Sequence, residues 1–212
     1  MSSVYLIMLA QSNKQLINGI SYNPDGIPLT YVEVNEIING FFIGKYELTQ
    51  AQWEAVMGSN PSYFQGDDLP VENVSWNDTK EFFTRLNEKT GRNYRLPTEA
   101  EWVYAACGGS NNDNYQYSGS NNIDEVAWYK DNSKEHTNTV GSKKPNSLGI
   151  YDMSGNVWEW CEDMWDSSTN NYFRVNRGGG WNYYALSCSI SNRSYFTQSN
   201  KYRNLGFRVV LP

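Results

Sequence analysis

Arg177-Gly-Gly-Gly-Trp181 and Leu205-Gly-Phe-Arg208 bracket twenty-three residues, Asn182 to Asn204, reading NYYALSCSISNRSYFTQSNKYRN. The brackets have the makings of a rigid frame, since glycines allow close backbone approach and Trp181 and Phe207 supply anchors. The insert is composed differently. Thirteen of its residues are Tyr, Ser or Asn, and it has no Gly, Pro, Asp or Glu. Its few apolar residues keep neither a helical nor a strand period. Tyr gives large amphipathic contact area at low entropic cost and Ser and Asn give adaptable hydrogen bonding, so this composition suits a binding surface. An ordinary polar loop of this length would carry Gly, Pro or Asp at its turns.

Around that segment, a chain of 212 residues suffices for one domain with a substantial core. A formal charge of -6, with no Lys/Arg-rich run, removes the electrostatic footprint of a nucleic-acid binder or an anionic-membrane binder. Protein or glycan partners are expected instead. Eight Trp and sixteen Tyr at a mean hydropathy of -0.67 imply a core of aromatic anchors and abundant irregular structure. The opening Met1 to Ala10 run lacks a basic segment and is too short to cross a bilayer, so neither an export signal nor membrane insertion is expected. Three cysteines (Cys107, Cys161, Cys188) allow one disulfide and a thiol, or three thiols. His136, between Glu135 and Thr137, reads as a solvated loop residue.

Three helices are predicted from their caps. Thr49 with Gln52 opens one from Gln50 to Met57, stopped by Gly58, with Trp53, Val56 and Met57 on one face. Asn77 or Asp78 caps a second that runs to about Lys89 and carries Phe82, Phe83 and Leu86. Thr98 with Glu101 opens a third through about Ala106, burying Trp102 and Ala105. Thr30 to Glu47 reads as a hairpin turning at Asn39-Gly40, with Phe41, Ile43 and Tyr46 inward. Ser110 to Gly149 reads as a long ordered loop pinned by Trp128, Tyr129 and Val140.

Five ordered landmarks carry a resemblance. They are Gly44-Lys-Tyr-Glu-Leu-Thr49, Pro70-Val-Glu-Asn-Val-Ser-Trp76, Arg95-Leu-Pro-Thr-Glu-Ala-Glu-Trp102, Asn146 to Trp160 (NSLGIYDMSGNVWEW), and the 177–208 frame. Together they resemble the sulfatase-modifying-factor family, the formylglycine-generating-enzyme-like branch of the C-type lectin fold, over the last four fifths of the chain. The resemblance implies an α+β domain: a small twisted antiparallel sheet, two or three helices and much irregular structure. The implied organisation is an N-terminal segment with the first strand and a candidate docking region (1–40), then a lectin-like domain (41–212) with a variable segment (181–204).

The enzymes of that family hold copper(I) with two cysteines spaced five apart after Arg-Gly-Gly, a soft dithiolate site. By that resemblance the second cysteine falls on Cys188 and the first on Tyr183, so the pair is incomplete and no enzyme is expected. A copper oxidase, or a degenerate relative of one, is the alternative. In the disulfide option Cys188 would pair with Cys161. The variable proteins of diversity-generating retroelements share the frame and are the better match. There, template adenines are copied with errors, turning Asn codons into Tyr, Ser, Thr, Phe and similar residues. Tyr183, Tyr184, Ser187, Ser194, Tyr195, Phe196, Thr197 and Tyr202 are reachable in that way, and Leu186, Ser189 and Arg203 by more changes. These residues are the expected ligand contacts, with Trp181, Ala185, Cys188, Arg193, Gly206 and Phe207 as fixed scaffold. The resemblance implies display on a phage virion or bacterial surface, assembled through the N-terminal segment, toward a protein or glycan on a cell.

It also implies a structural calcium at Asp152 and Glu159 by side chain and at Gly155 and Val157 by backbone. A hydrogen-bonded turn seating Trp158 and Trp160 is the other reading, and no cofactor is required in either. The acidic pairs Asp67-Asp68 and Asp124-Glu125 sit in polar loops without the apolar pocket that acid/base chemistry needs.

Overall fold

The computed structural model describes residues 20–22, 28–34, 40–111, 114–166 and 172–212. The candidate docking region therefore lies largely outside the described residues, as does half of the Asn39-Gly40 turn. What is seen of the region before Gly40 is a pair of strands, β1 (Ile20–Tyr22) and β2 (Pro28–Val34). Strand β2 pairs antiparallel with β3 (Phe41–Gly44), with Val34 opposite Phe41, which is the predicted hairpin. Phe41 and Ile43 are buried, whereas Tyr46 lies beyond the strand and is half-buried.

Helix α1 (Gln50–Met57) has the predicted Thr49/Gln52 capping box and ends on Gly58 in the left-handed region at φ 82°. Helix α2 (Trp76–Thr90) begins earlier than expected. Its cap is Ser75, which accepts from the backbone N–H of Asp78, while the Asp78 carboxylate accepts from that of Ser75. Asp78 is thus the third-position partner and not the cap. Ser75→Ala should cost about 1 kcal/mol in a urea unfolding curve, and an unchanged midpoint would contradict this role. Helix α3 (Glu99–Ala106) opens on Thr98/Glu101 as expected. The described part of the 110–149 stretch is irregular backbone apart from the end of a 3-10 turn (Gly109–Asn111) and one short helix, α4 (Ile123–Val126). Tyr129 is its buried anchor, while Trp128 and Val140 are half-buried.

Four more strands follow: β4 (Trp158–Met164), β5 (Phe173–Arg177), β6 (Ser194–Thr197) and β7 (Leu205–Gly206). They form one sheet in the order β6-β5-β4-β7, in which β4 and β7 run parallel. The last strand, β8 (Val210–Leu211), completes a second sheet in the order β1-β2-β3-β8. One core cluster packs α1 and α2 against the 158–160 and 205–211 segments. Trp53 stacks on Phe82 at 5.2 Å there, and Phe207 meets both edge-on. A second cluster gathers Trp102, Ala105, Ile150, Met153, Cys161 and Val175 around α3. This is the α+β architecture that the landmarks imply.

The frame is rigid for identifiable reasons. Arg208 is wholly buried, donates to both oxygens of Glu159 at 2.6 and 2.7 Å, and donates to the carbonyls of Gly44 and Tyr151. Gly179, at φ 79°, passes so close to the insert that a Cβ there would stand 2.7 Å from both the Ser187 carbonyl oxygen and Cys188 Sγ.

Candidate ligand-binding surface

The insert is held as tightly as the frame. Trp181 Nε1 donates to the Arg203 carbonyl at 2.9 Å and Asn204 Nδ2 to Asn182 Oδ1 at 2.8 Å, so both ends are clamped together. Between them runs a single 3-10 turn, Ala185–Cys188, followed by β6 on the sheet edge. Arg177 ties the middle down. Its guanidinium donates to Glu99 and to the carbonyls of Ile190 and Asn192, while Arg193 reaches the same Glu99. These two arginines hold the Glu99 carboxyl below its usual range, although burial opposes them.

On that pinned backbone the predicted contact residues divide. Tyr184 and Leu186 are 64% and 74% exposed, and Tyr195, Tyr202 and Arg203 are also open to solvent. Others are not outward. Ser189 is buried and donates to the Leu186 carbonyl at 2.9 Å, so it belongs to the scaffold. Tyr183 and Phe196 are half-buried, packed edge-on against Trp158 and Trp160. Ser187 and Ser194 are half-buried, and Thr197 closes a turn onto Asn200. Successive residues of β6 face opposite sides of the sheet. Tyr195 therefore meets Trp165 and Phe173, whereas Phe196 meets Trp160 and Tyr202. Tyr195 stands on a different face from the Tyr183–Tyr202 patch.

Other residues that the sequence reading passed over join that patch. Lys130 donates from its backbone to the Tyr183 carbonyl and from Nζ to the Tyr184 hydroxyl at 2.8 Å, with Nζ 4.0 Å above the Tyr184 ring. Tyr63 is 65% exposed, and the Arg203 guanidinium lies 5.5 Å from its ring and 5.3 Å from that of Trp181. Their signals were faint: an aromatic doublet, Tyr63-Phe64, in a polar turn, and a lysine directly after the Trp128-Tyr129 anchor.

The carboxylates of the inferred calcium set, Asp152 and Glu159, already have protein partners. Glu159 commits both oxygens to Arg208 and one also to Trp102 Nε1 at 2.7 Å. Asp152 accepts from the Gly141 N–H, and buried Glu47 accepts from Val157 N–H and Asn156 Nδ2. These contacts favour the hydrogen-bonded turn that seats Trp158 and Trp160. Among the described residues no group of three His, Cys, Asp or Glu side chains is arranged to hold a metal. Cys161 and Cys188 are both buried free thiols in different core clusters, so the Cys161–Cys188 bridge is not made. Burial pushes the Cys188 thiol up to about 12.

Burial also raises Asp152 to about 6 and Glu72, whose Oε2 has no hydrogen-bond partner, to about 7. A carboxyl raised on folding stabilises the fold at low pH and loses that contribution as pH rises through its folded value. Glu99, Glu101 and Asp78 are lowered and act oppositely, below their ordinary range. Melting temperature is therefore expected to peak near about pH 5 and fall toward about pH 7.5. Glu72→Gln should flatten the upper part of that fall, and an unaltered profile would contradict the assignment.

The family model described as the sulfatase-modifying factor enzyme 1-like domain matches residues 31–212. The chain belongs to that family. It is 39% identical to the chaperone protein LppX of Paenibacillus barcinonensis, over 85% of this chain and 83% of that protein. It is 31% identical to the formylglycine-generating enzyme of Mus musculus, over 76% of this chain but only 49% of the enzyme. The structure of Treponema denticola variable protein 1 superposes with a TM-score of 0.82 at 27% identity, covering 90% of this chain and 97% of that one. The family fold thus occurs in named enzymes, a named chaperone and a named variable protein. No helix among the described residues is long and apolar enough to cross a membrane.

Proposed function

We propose that this chain is a non-catalytic binding protein whose Tyr184, Leu186, Tyr202 and Arg203, with Tyr63 and Lys130, contact a protein ligand. We further infer that the insert is a product of a diversity-generating retroelement, displayed on a virion or a bacterial surface. The observation that carries the reading is the contrast between backbone and side chains in the insert. Its backbone is clamped by Trp181, Asn204 and Arg177, yet large side chains project from it into solvent. Ordering costs are therefore met before a ligand arrives, and exposed Tyr and Arg are the usual anchors of protein interfaces.

The experiment is a pull-down of proteins from a candidate host surface, with the wild type beside a Tyr184→Ala/Leu186→Ala variant. Stability should change by no more than about 0.5 kcal/mol per substitution, since neither side chain is packed in the core. Capture should fall on the order of tenfold or more. Loss of folding in the variant would overturn the reading.

A fixed client-binding chaperone is the second reading, favoured by the 39% identity to a protein of that name. It uses the same surface but requires an invariant insert. For the oxidase, a half-buried Tyr183 stands where the resemblance places the first cysteine, and Cys188 is held as a neutral thiol by burial. Copper(I) titration with oxygen uptake should show neither tight binding nor turnover on cysteine-containing peptides. Turnover would restore the enzyme.

A further inference from the structure

At the centre of the patch lies a cavity of about 360 Å³ lined by Lys130, Ser133, Glu135, Trp181, Asn182 and Arg203. Its floor is fixed, because Ser133 Oγ donates to the Trp181 carbonyl at 2.9 Å and Phe64 braces the Trp181 ring edge-on at 5.5 Å. Two of its walls are cationic. Neither Lys130 nor Arg203 takes part in an ion pair among the described residues, as is also true of about half of the described lysines and arginines. In a protein of net charge -6, these two cations share one small cavity with a single acid. Arg203 lies against aromatic rings, which orient its planar fork without neutralising it. Asn182 adds an amide. Glu135, exposed at φ 62°, is the one acid on the lining and lowers the positive field there. Glu72 feels Arg203 at longer range but makes no hydrogen bond to it.

Resting on the protein-binding reading above, we propose that this cavity receives a carboxylate side chain, Asp or Glu, of the protein ligand, held between Lys130 and Arg203 over the Trp181 ring. The surrounding exposed Tyr63, Tyr184, Leu186 and Tyr202 would then cover the ligand surface beside that acid and exclude water from the charged contact. A charge-assisted, forked contact from arginine to carboxylate is stronger and more directional than a neutral hydrogen bond. The cavity thereby supplies specificity, and the aromatic rim supplies area.

The test uses the full chain and a displayed random peptide library. Selected peptides should be enriched in Asp or Glu. Resynthesis with each acid changed to its amide should weaken binding to the wild type by about tenfold. On Lys130→Gln/Arg203→Gln the same peptide change should matter less than about twofold. That variant should keep its melting temperature, because the insert clamp uses the Arg203 backbone carbonyl rather than its side chain. Glu135→Gln should tighten the acidic peptides. Selected peptides without acid enrichment, or an amide penalty equally large on the double variant, would overturn the cavity assignment while leaving the binding reading intact. If the wild type selects no peptide above background, both fall together.

Discussion

Arg208→Met is expected to destabilise the protein by about 3–5 kcal/mol, because it strands a buried carboxylate. Glu159 has no exposed surface, and Arg208 supplies the only ion pair it makes among the described residues. Burial raises the carboxyls of Glu47 and Asp152, Asp152 and Glu159 raise Glu47 further and Glu159 raises Asp152, and Arg208 is the cation that opposes both effects. Removing it leaves three acids in a low-dielectric interior and deprives the Gly44 and Tyr151 carbonyls of a donor. For a domain of this size the loss corresponds to a fall of about 10 °C or more in melting temperature, readable by circular dichroism. Adding Glu159→Leu should cost less than the sum of the two single changes, since a pair removed together leaves no lone charge. A single variant within about 1 kcal/mol of the wild type would contradict the assignment of this pair as the internal tie of the frame.

Gly179→Ala is the second large effect, expected at about 2–4 kcal/mol from left-handed backbone strain and overlap with the insert. The added methyl meets the Ser187 carbonyl and the Cys188 sulfur and α-carbon, none of which is the free end of a flexible chain. Relief requires the 3-10 turn to move outward, carrying Tyr184 and Leu186 with it. Ligand capture should therefore fall together with stability, unlike in Tyr184→Ala. Chemical denaturation of Gly179→Ala beside Gly58→Ala separates the two causes. Gly58 has the same sign of φ but open space around it, so only the strain term remains there.

What the sequence revealed about this molecule was local in origin. Thr49/Gln52 and Thr98/Glu101 are capping boxes within one helical turn, so both helix starts were legible. Ser75, Asn77 and Asp78 are equally good caps by type, and only the chain path into Trp76 selects between them. The insert was legible as a composition but not as a geometry. Strand β6 depends on pairing with β5 across the turn of the frame, and the parallel β4–β7 pair joins Trp158 to Leu205. Ser189 resembles its exposed neighbours in type, yet the 3-10 turn puts it inside. Lys130 and Tyr63 reach the surface from segments more than fifty residues away from Tyr184 or more than a hundred, beyond the range of any sequence period. The pairing of Glu159 with Arg208 joins two motifs 49 residues apart, which no local reading connects.

If a fixed frame carries a surface free to vary, sequencing the segment encoding residues 177–208 from many members of one population, together with a search nearby for a second copy of that segment, should show it. Substitutions should fall at the exposed positions 184, 186, 195, 202 and 203, and at the half-buried 183, 187, 194, 196 and 197, over adenines in the second copy. Trp181, Cys188, buried Ser189, Gly206, Phe207 and Arg208 should be constant. A uniform insert with no second copy, or substitutions that fall on the frame as often as on the exposed positions, would contradict it.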